Sequence, residues 1–336
     1  MQIQSRRRSY VPMAAAMAVA LVAIILLPRY LSNYFMSIAN ICMIYLLVVL
    51  SATVMYGLCG MMSFCNVSIM GLSAFLTAQL AKNYGMNGLS SILCAVILTT
   101  VFFGVIGRAL IRLRGVYFVF GTIGLCNMMD VIYSNFRPLI DSADGIFGYP
   151  NLVLFGHTFN GYADWFYLSA AVALLIIFVV ERIRHSSLGR SFMAVRDNSI
   201  TAAVLGVNEE MTKWKAFVIG TVIAALAGSL WCYLKMVVSC DWFTFDKQLD
   251  LQLALMLGGM DSSGGALIGT FLVQLMPELL RGFARYLRII RGVLLILLMI
   301  FMPTGLAGIV RILRSKLRRY FTKKGGGADG VSNSEG

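Results

Sequence analysis

Few residue patterns in this chain could do chemistry, and most are incomplete. GGMDSSGGA (258–266) is glycine-rich, but a P-loop needs a Lys followed by Ser or Thr after its glycines, and none follows here. HExxH, GxSxG and paired-cysteine motifs are all missing. The two histidines, His157 and His185, lie in or beside loops and read as ordinary surface residues. Of the seven cysteines, Cys42, Cys65, Cys94 and Cys126 sit inside apolar runs, where a thiol behaves as a small hydrophobe. Cys232 and Cys240 are the only pair worth checking for a bridge. The expectation is therefore no catalytic residue, no metal site and no cofactor bound by this chain. If ATP drives it, a partner must hydrolyse the nucleotide.

Two polar constellations stand out against that background. Gly57, Gly60, Ser63, Asn66, Ser68, Gly71 and Ser73 crowd small polar residues into an otherwise apolar segment. That density predicts a broken or cavity-lining helix, because freed backbone groups in a bilayer must be satisfied by protein, water or ligand. Ser63, Asn66, Ser68 and Gly71, with Asn127 and the glycine pair Gly258 and Gly259, are the candidate lining of a translocation path. Asp130, one turn after Asn127, reads as a wetted helix end. Glu278 reads as half of a structural pair with Arg281. The second constellation is SLGRSFMAVRDNSITAAVLGVN (187–208), a charged stretch between two long apolar runs. Gly189 is expected to break the preceding helix. Asp197, Asn198 and Ser199 offer an N-cap, and Gly206 offers the stop for a short helix over about 199–205. Ile200, Ala203 and Val204 then share one face, which suits docking into a partner's groove.

The elements that must position these residues are membrane helices. The 336-residue chain is 59% hydrophobic and 13% charged, about half the charge of a typical soluble domain. Its apolar runs are continuous and near the ~20 residues a spanning helix needs, which excludes a barrel. Firm runs cover 11–28, 35–56, 90–111, 116–134, 163–180, 215–238 and 289–309; weaker ones cover 60–81, 248–260 and 264–280. Small residues at Ala224 and Gly228, and at Gly265 and Gly269, predict close helix approach. The fold class is thus all-α, a polytopic transmembrane bundle of about ten spans, with eight or nine as alternatives.

Orientation follows from the net charge of +13. Arg6–Arg8, Arg108 to Arg114, Arg182 to Lys215 and Arg311 to Lys324 all fall on one side of a ten-span chain, the cytoplasmic one by the positive-inside rule; Arg281 to Arg291 is the exception. The apolar run after Arg8 is longer than a signal-peptide core and lacks a cleavage site, so an uncleaved first span is expected. Residues 1–10 form a cytoplasmic segment, 11–310 the transmembrane body with a cytoplasmic loop over about 182–213, and 311–336 a basic tail ending in a disordered cytoplasmic stretch. Residues 135–162, rich in Gly, Pro, Asn and Asp, form the longest extracytoplasmic loop.

Six blocks in order resemble the LivM-type permeases of branched-chain amino acid ABC importers. The 187–208 stretch is similar to that family's coupling loop at Gly189, Arg190, Ala194, Arg196, Asp197, Asn198, Ile200, Ala202, Gly206 and Asn208. GLCGMMSFCNVSIMGLSAFLTAQL (57–80), RLRGVYFVFGTIGL (112–125), DSADGIFGYPN (141–151), GGMDSSGGALIGTFLVQLMPELLR (258–281) and FMPTGLAGI (301–309) resemble further family blocks. Ser199, Ala203, Asn66, Cys65, Asp261 and Gly265 depart from the family pattern. The resemblance implies an inner-membrane ABC importer permease for branched-chain or other apolar amino acids, working by alternating access. It implies as partners a second, LivH-like permease, two cytoplasmic ATPases and an extracytoplasmic binding protein, with no nucleic acid. A permease of the same class for another small polar metabolite (an amide, urea or a sugar-like compound) is the alternative. An ion-coupled secondary transporter would need midplane acids, of which Asp130 is the main offering, and a membrane enzyme would need a catalytic cluster.

Overall fold

A computed structural model describes residues 32–279, apart from 114, 136–144, 155, 156, 160 and 261, together with 289, 290, 292, 293 and 296. The expected first span, most of the expected last span, the two terminal segments, the FMPTGLAGI block and the Glu278–Arg281 pair lie outside what is described. Helix α1 (Asn33–Ala52) runs into a π-helical turn over Thr53–Leu58. It is followed by α2 (Asn66–Asn83), α3 (Gly88–Leu110) and α4 (Val116–Asn135). Three short strands come next: β1 (Ile146–Phe147), β2 (Val153–Leu154) and β3 (His157–Thr158). Then come α5 (Tyr162–His185), α6 (Ser187–Asp197), α7 (Ser199–Val204) and α8 (Glu209–Lys235). Strand β4 (Val237–Val238) leads to α9 (Phe245–Gly258) and α10 (Ser263–Leu279).

Among the described residues, five helical stretches are long and apolar enough to cross a membrane: Asn33–Leu58, Gly88–Leu110, Val116–Asn135, Tyr162–His185 and Glu209–Lys235. They coincide with the firm runs that fall inside the described residues. The weak runs correspond to α2, α9 and α10, which pack among them. α9 has 14 residues, roughly 21 Å of helix, well short of the ~30 Å hydrocarbon thickness. Its neighbours satisfy it instead of lipid, which is why its run looked weak: it carries the buried Gln248, Asp250 and Gln252.

α8 lies at the centre, against α1, α2 and α3. Small residues permit this. A Cβ on Gly228 would stand 2.0 Å from the Met70 carbonyl oxygen, so α2 and α8 touch backbone to side. A hydroxyl cluster fastens the same seam: Ser73 Oγ donates to the Ala225 carbonyl at 2.6 Å, and Ser229 Oγ lies 2.8 Å from Ser73 Oγ and 2.9 Å from Thr77 Oγ1. α9 and α10 form a tight hairpin, in which a Cβ on Gly269 would meet the Ala254 carbonyl oxygen at 2.1 Å. The outward side of α3 presents Leu93, Ile97, Val101 and Val105, an apolar stripe suited to lipid.

The bundle has two distinct ends. At one, β1 pairs antiparallel with β4 (Ile146 opposite Val238), tying the segment after α4 to the end of α8, and β2 pairs with β3. Phe75, Tyr133 and Phe243, from α2, α4 and the turn before α9, are fully buried and in ring contact beneath that end. Cys232 and Cys240 are both free: the Cys232 carbonyl accepts from Tyr149 Oη at 2.7 Å, and Cys240 Sγ donates to the Tyr133 carbonyl at 2.8 Å. The other end carries α6 and α7.

Candidate functional site

The α6–α7 segment is built by its caps. Ser186, not Gly189, interrupts the helix: it is extended, and its Oγ accepts from the Gly189 N–H at 3.3 Å to start α6. Gly189 lies inside the first turn, against α5, where a Cβ would fall 2.2 Å from the Ile183 carbonyl oxygen. The residue is therefore required for close approach rather than for a break. Asn198 Oδ1 accepts from the N–H groups of Ile200 and Thr201, both at 3.0 Å, and so starts α7. Gly206, at φ +84°, ends it. Ala202 is buried beneath α7, whereas Ile200, Val204 and Leu205 are 78%, 82% and 77% exposed. Single exposed apolar residues are ordinary; here three fall on one capped helix and its stop, a compact apolar face.

The second half of the site is the break between α1 and α2. The chain leaves the π-helical turn at Cys59 and does not become helical again until Asn66. Asn66 Nδ2 donates to Ser51 Oγ at 3.0 Å, and Ser51 lies seven residues before the end of the π turn. The start of α2 is thus roughly 10 Å inside the bundle. Non-helical backbone at that depth needs partners, and Gly60 N–H donates to the Tyr56 carbonyl and Met61 N–H to the Met55 carbonyl, both at 2.9 Å. Phe64 N–H donates to Thr122 Oγ1 at 3.2 Å, and Val67 N–H donates to Gln248 Oε1 at 2.9 Å. Tyr133 Oη donates to the Ser68 carbonyl. Asn66 Oδ1 and Gln252 Nε2 are buried without a hydrogen-bond partner among the described residues.

The two halves meet at one side chain. Arg196, near the end of α6, donates from Nη1 to the Gly57 carbonyl at 2.5 Å. Its Cγ lies where a Cβ on Gly60 would be, 2.8 Å away, and Gly60 is held at φ +76°. On its other side Gly57 takes the Met260 carbonyl oxygen, 2.0 Å from where a Cβ would be. α5 reaches the same hairpin: Glu181 Oε1 accepts from Arg184 Nη1 at 2.9 Å and from Ser263 Oγ at 2.8 Å.

The profile of the branched-chain amino acid transport system / permease component family matches residues 34–303. The chain belongs to that family. LivM, the high-affinity branched-chain amino acid transport system permease protein of Escherichia coli (strain K12), is 27% identical over 307 residues, 84% of this chain and 72% of the relative. LivH of the same system and organism is 25% identical over 79% of this chain and 91% of its own length. BraD of Pseudomonas aeruginosa is 26% identical over the same shares. No solved structure matches. The chain is a LivM-type, multi-pass membrane permease.

Placed in this permease, the candidate residues fall into three groups. Ser63, Asn66, Ser68 and Gly71 come together at the break and the first turns of α2, all buried. Gly258 and Gly259 instead form the α9–α10 turn near Gly57, on the side of the coupling segment. Asn127 stands apart: it is exposed on α4, while Thr122 and Cys126 point inward from that helix. In the α6–α7 segment, Gly189 and Ala202 are buried, Ala194 is half-buried, and Arg190, Arg196, Asp197, Asn198, Ile200 and Gly206 are exposed, Arg196 also bonding to Gly57. Sequence reasoning missed Thr122, Glu181, Gln248 and Met260. Gln248 and Gln252 had a signal, two amides one turn apart in an apolar run. Met260 contributes only its backbone and had none.

Proposed function

We propose that this permease is a membrane-spanning subunit of an ATP-driven importer for branched-chain or other apolar amino acids. The end bearing α6 and α7 faces the cytoplasm, as do residues 1–10 and 311–336, and the strand-paired end faces outward. α7 seats on one of two cytoplasmic ATPases, which hydrolyse the ATP; this chain binds none. A second, LivH-like permease completes the membrane part, and an extracytoplasmic binding protein delivers the solute. Solute passes along the break between α1 and α2, past Ser63, Asn66, Ser68 and Gln252, while the spans alternate between outward-open and inward-open arrangements. The observation that carries this reading is the capped, apolar face of Ile200, Val204 and Leu205, joined through Arg196 to the break. The relatives' names support the substrate class.

Gentle purification of the chain from its native membrane, with mass spectrometry of what accompanies it, tests the proposal. Two P-loop ATPases and a second permease are expected, and the assembled complex binds leucine, isoleucine or valine through its binding protein. A chain that purifies alone, or a complex selective for an amide, urea or a sugar, contradicts the assembly or the substrate respectively.

A further inference from the structure

Arg196 belongs to the α6–α7 segment and is partly exposed, yet it also reaches the α1–α2 break, where its Nη1 donates to the Gly57 carbonyl. That carbonyl is one of those a helix leaves without an intrahelical donor at its C-terminal end, and a cation is favoured there by the helix dipole. The stem of the side chain occupies the space left by the missing Cβ of Gly60. On the opposite side of Gly57 lies the Met260 carbonyl of the α9–α10 turn. One arginine therefore touches the end of the π turn at Gly57 and the break itself at Gly60, and through Gly57 the hairpin that carries Gln248. Gln248 in turn holds the first N–H groups of α2 at Val67. Glu181 makes a second attachment to the same hairpin, at Ser263.

We propose that Arg196 is a positioning residue, the pin that locks the α1–α2 break and the α9–α10 turn to α6, so that movement of α6–α7 displaces both together. This rests on the reading of α6–α7 as the segment that the ATPases move. The pin holds the break shut in the arrangement described, and its withdrawal frees Cys59, which is buried between Leu58 and Gly60. The contact to Asp197, at 3.2 Å on an exposed carboxylate, is screened by solvent and does not define the position.

The test uses the full chain in lipid and follows maleimide labelling of each cysteine by mass spectrometry, with buried Cys42 and Cys232 as folding controls. Arg196→Met is expected to speed labelling of Cys59 at least ~10-fold while Cys42 and Cys232 stay protected. Arg196→Lys, which keeps a donor on a similar stem, returns most of that protection. Cys59 labelled at the wild-type rate in Arg196→Met overturns the pin. If Arg196→Met also exposes Cys42, the Lys variant decides: folded with Cys59 protected it supports the pin, and folded with Cys59 exposed it overturns it. Failure of the docking reading is separable. Ile200→Asp with Val204→Asp is expected to release the ATPases and leave Cys59 protected, whereas Arg196→Met is expected to keep the ATPases bound and lose uptake at least ~10-fold. ATPases lost with Arg196→Met while Cys59 stays protected would make Arg196 a docking residue instead.

Discussion

Gly189 was legible as special and illegible as to why. A glycine after a charged run suggests a helix break, and the break is one turn earlier, at Ser186, whose hydroxyl caps α6. The need at Gly189 is contact with α5: a Cβ there would also come 2.6 Å from the Arg184 carbonyl oxygen. Gly189→Ala is therefore expected to push α6 off α5 and cost about 1–3 kcal/mol, the range for overpacking, read as a lower thermal midpoint of the purified chain. An unchanged midpoint would mean that the α5–α6 elbow yields freely. The caps at Asn198 and Gly206 were readable because capping is local chemistry, decided within four residues. Arg196 was readable only as part of a motif, since its partner, Gly57, lies 139 residues away. Its bond to Gly57 adds a contact inside the protein to a residue that is otherwise exposed. At the far end, burial beside Asp241 pushes the Cys240 thiol up, which keeps it a donor to the Tyr133 carbonyl.

Among elements, the long apolar runs were plain and the polar ones were blurred. α1, α3, α4, α5 and α8 are continuous in hydropathy and need no partner to be recognised as spans. α2, α9 and α10 depend on neighbours. α2 starts at Asn66 rather than near residue 60, because backbone before it is bonded to the π turn and to Thr122, and the first turn of α2 is held by Gln248. No local pattern reports bonds of that separation. The small-residue faces, in contrast, announced where backbones touch, and the α2–α8 and α9–α10 seams use them. Gly228→Leu should force α8 away from the Met70 carbonyl and break the Ser73–Ser229–Thr77 cluster. The expected outcome is loss of monodisperse protein on gel filtration. A monodisperse Gly228→Leu chain would show that this seam does not hold the bundle together.

Across the whole molecule, the two ends are made differently. The strand-paired end is closed by Phe75, Tyr133 and Phe243 and tied across by β1 and β4. The α6–α7 end holds the break, the exposed face of α7 and the Arg196 contact that joins them. Between the two lie the Asn66 Oδ1 and Gln252 Nε2 atoms, without partners among the described residues; buried polar groups left so are costly, and in the proposed path the polar groups of a passing solute would meet them. In the proposed function this permease is moved from its α6–α7 end, and the alternative of ion coupling is open to direct test. The most direct measurement is uptake of labelled leucine, isoleucine and valine by the purified complex in proteoliposomes, with and without ATP and with an ionophore. The account predicts uptake that requires ATP and survives collapse of the ion gradients. Uptake that proceeds without ATP and stops with the ionophore would contradict it.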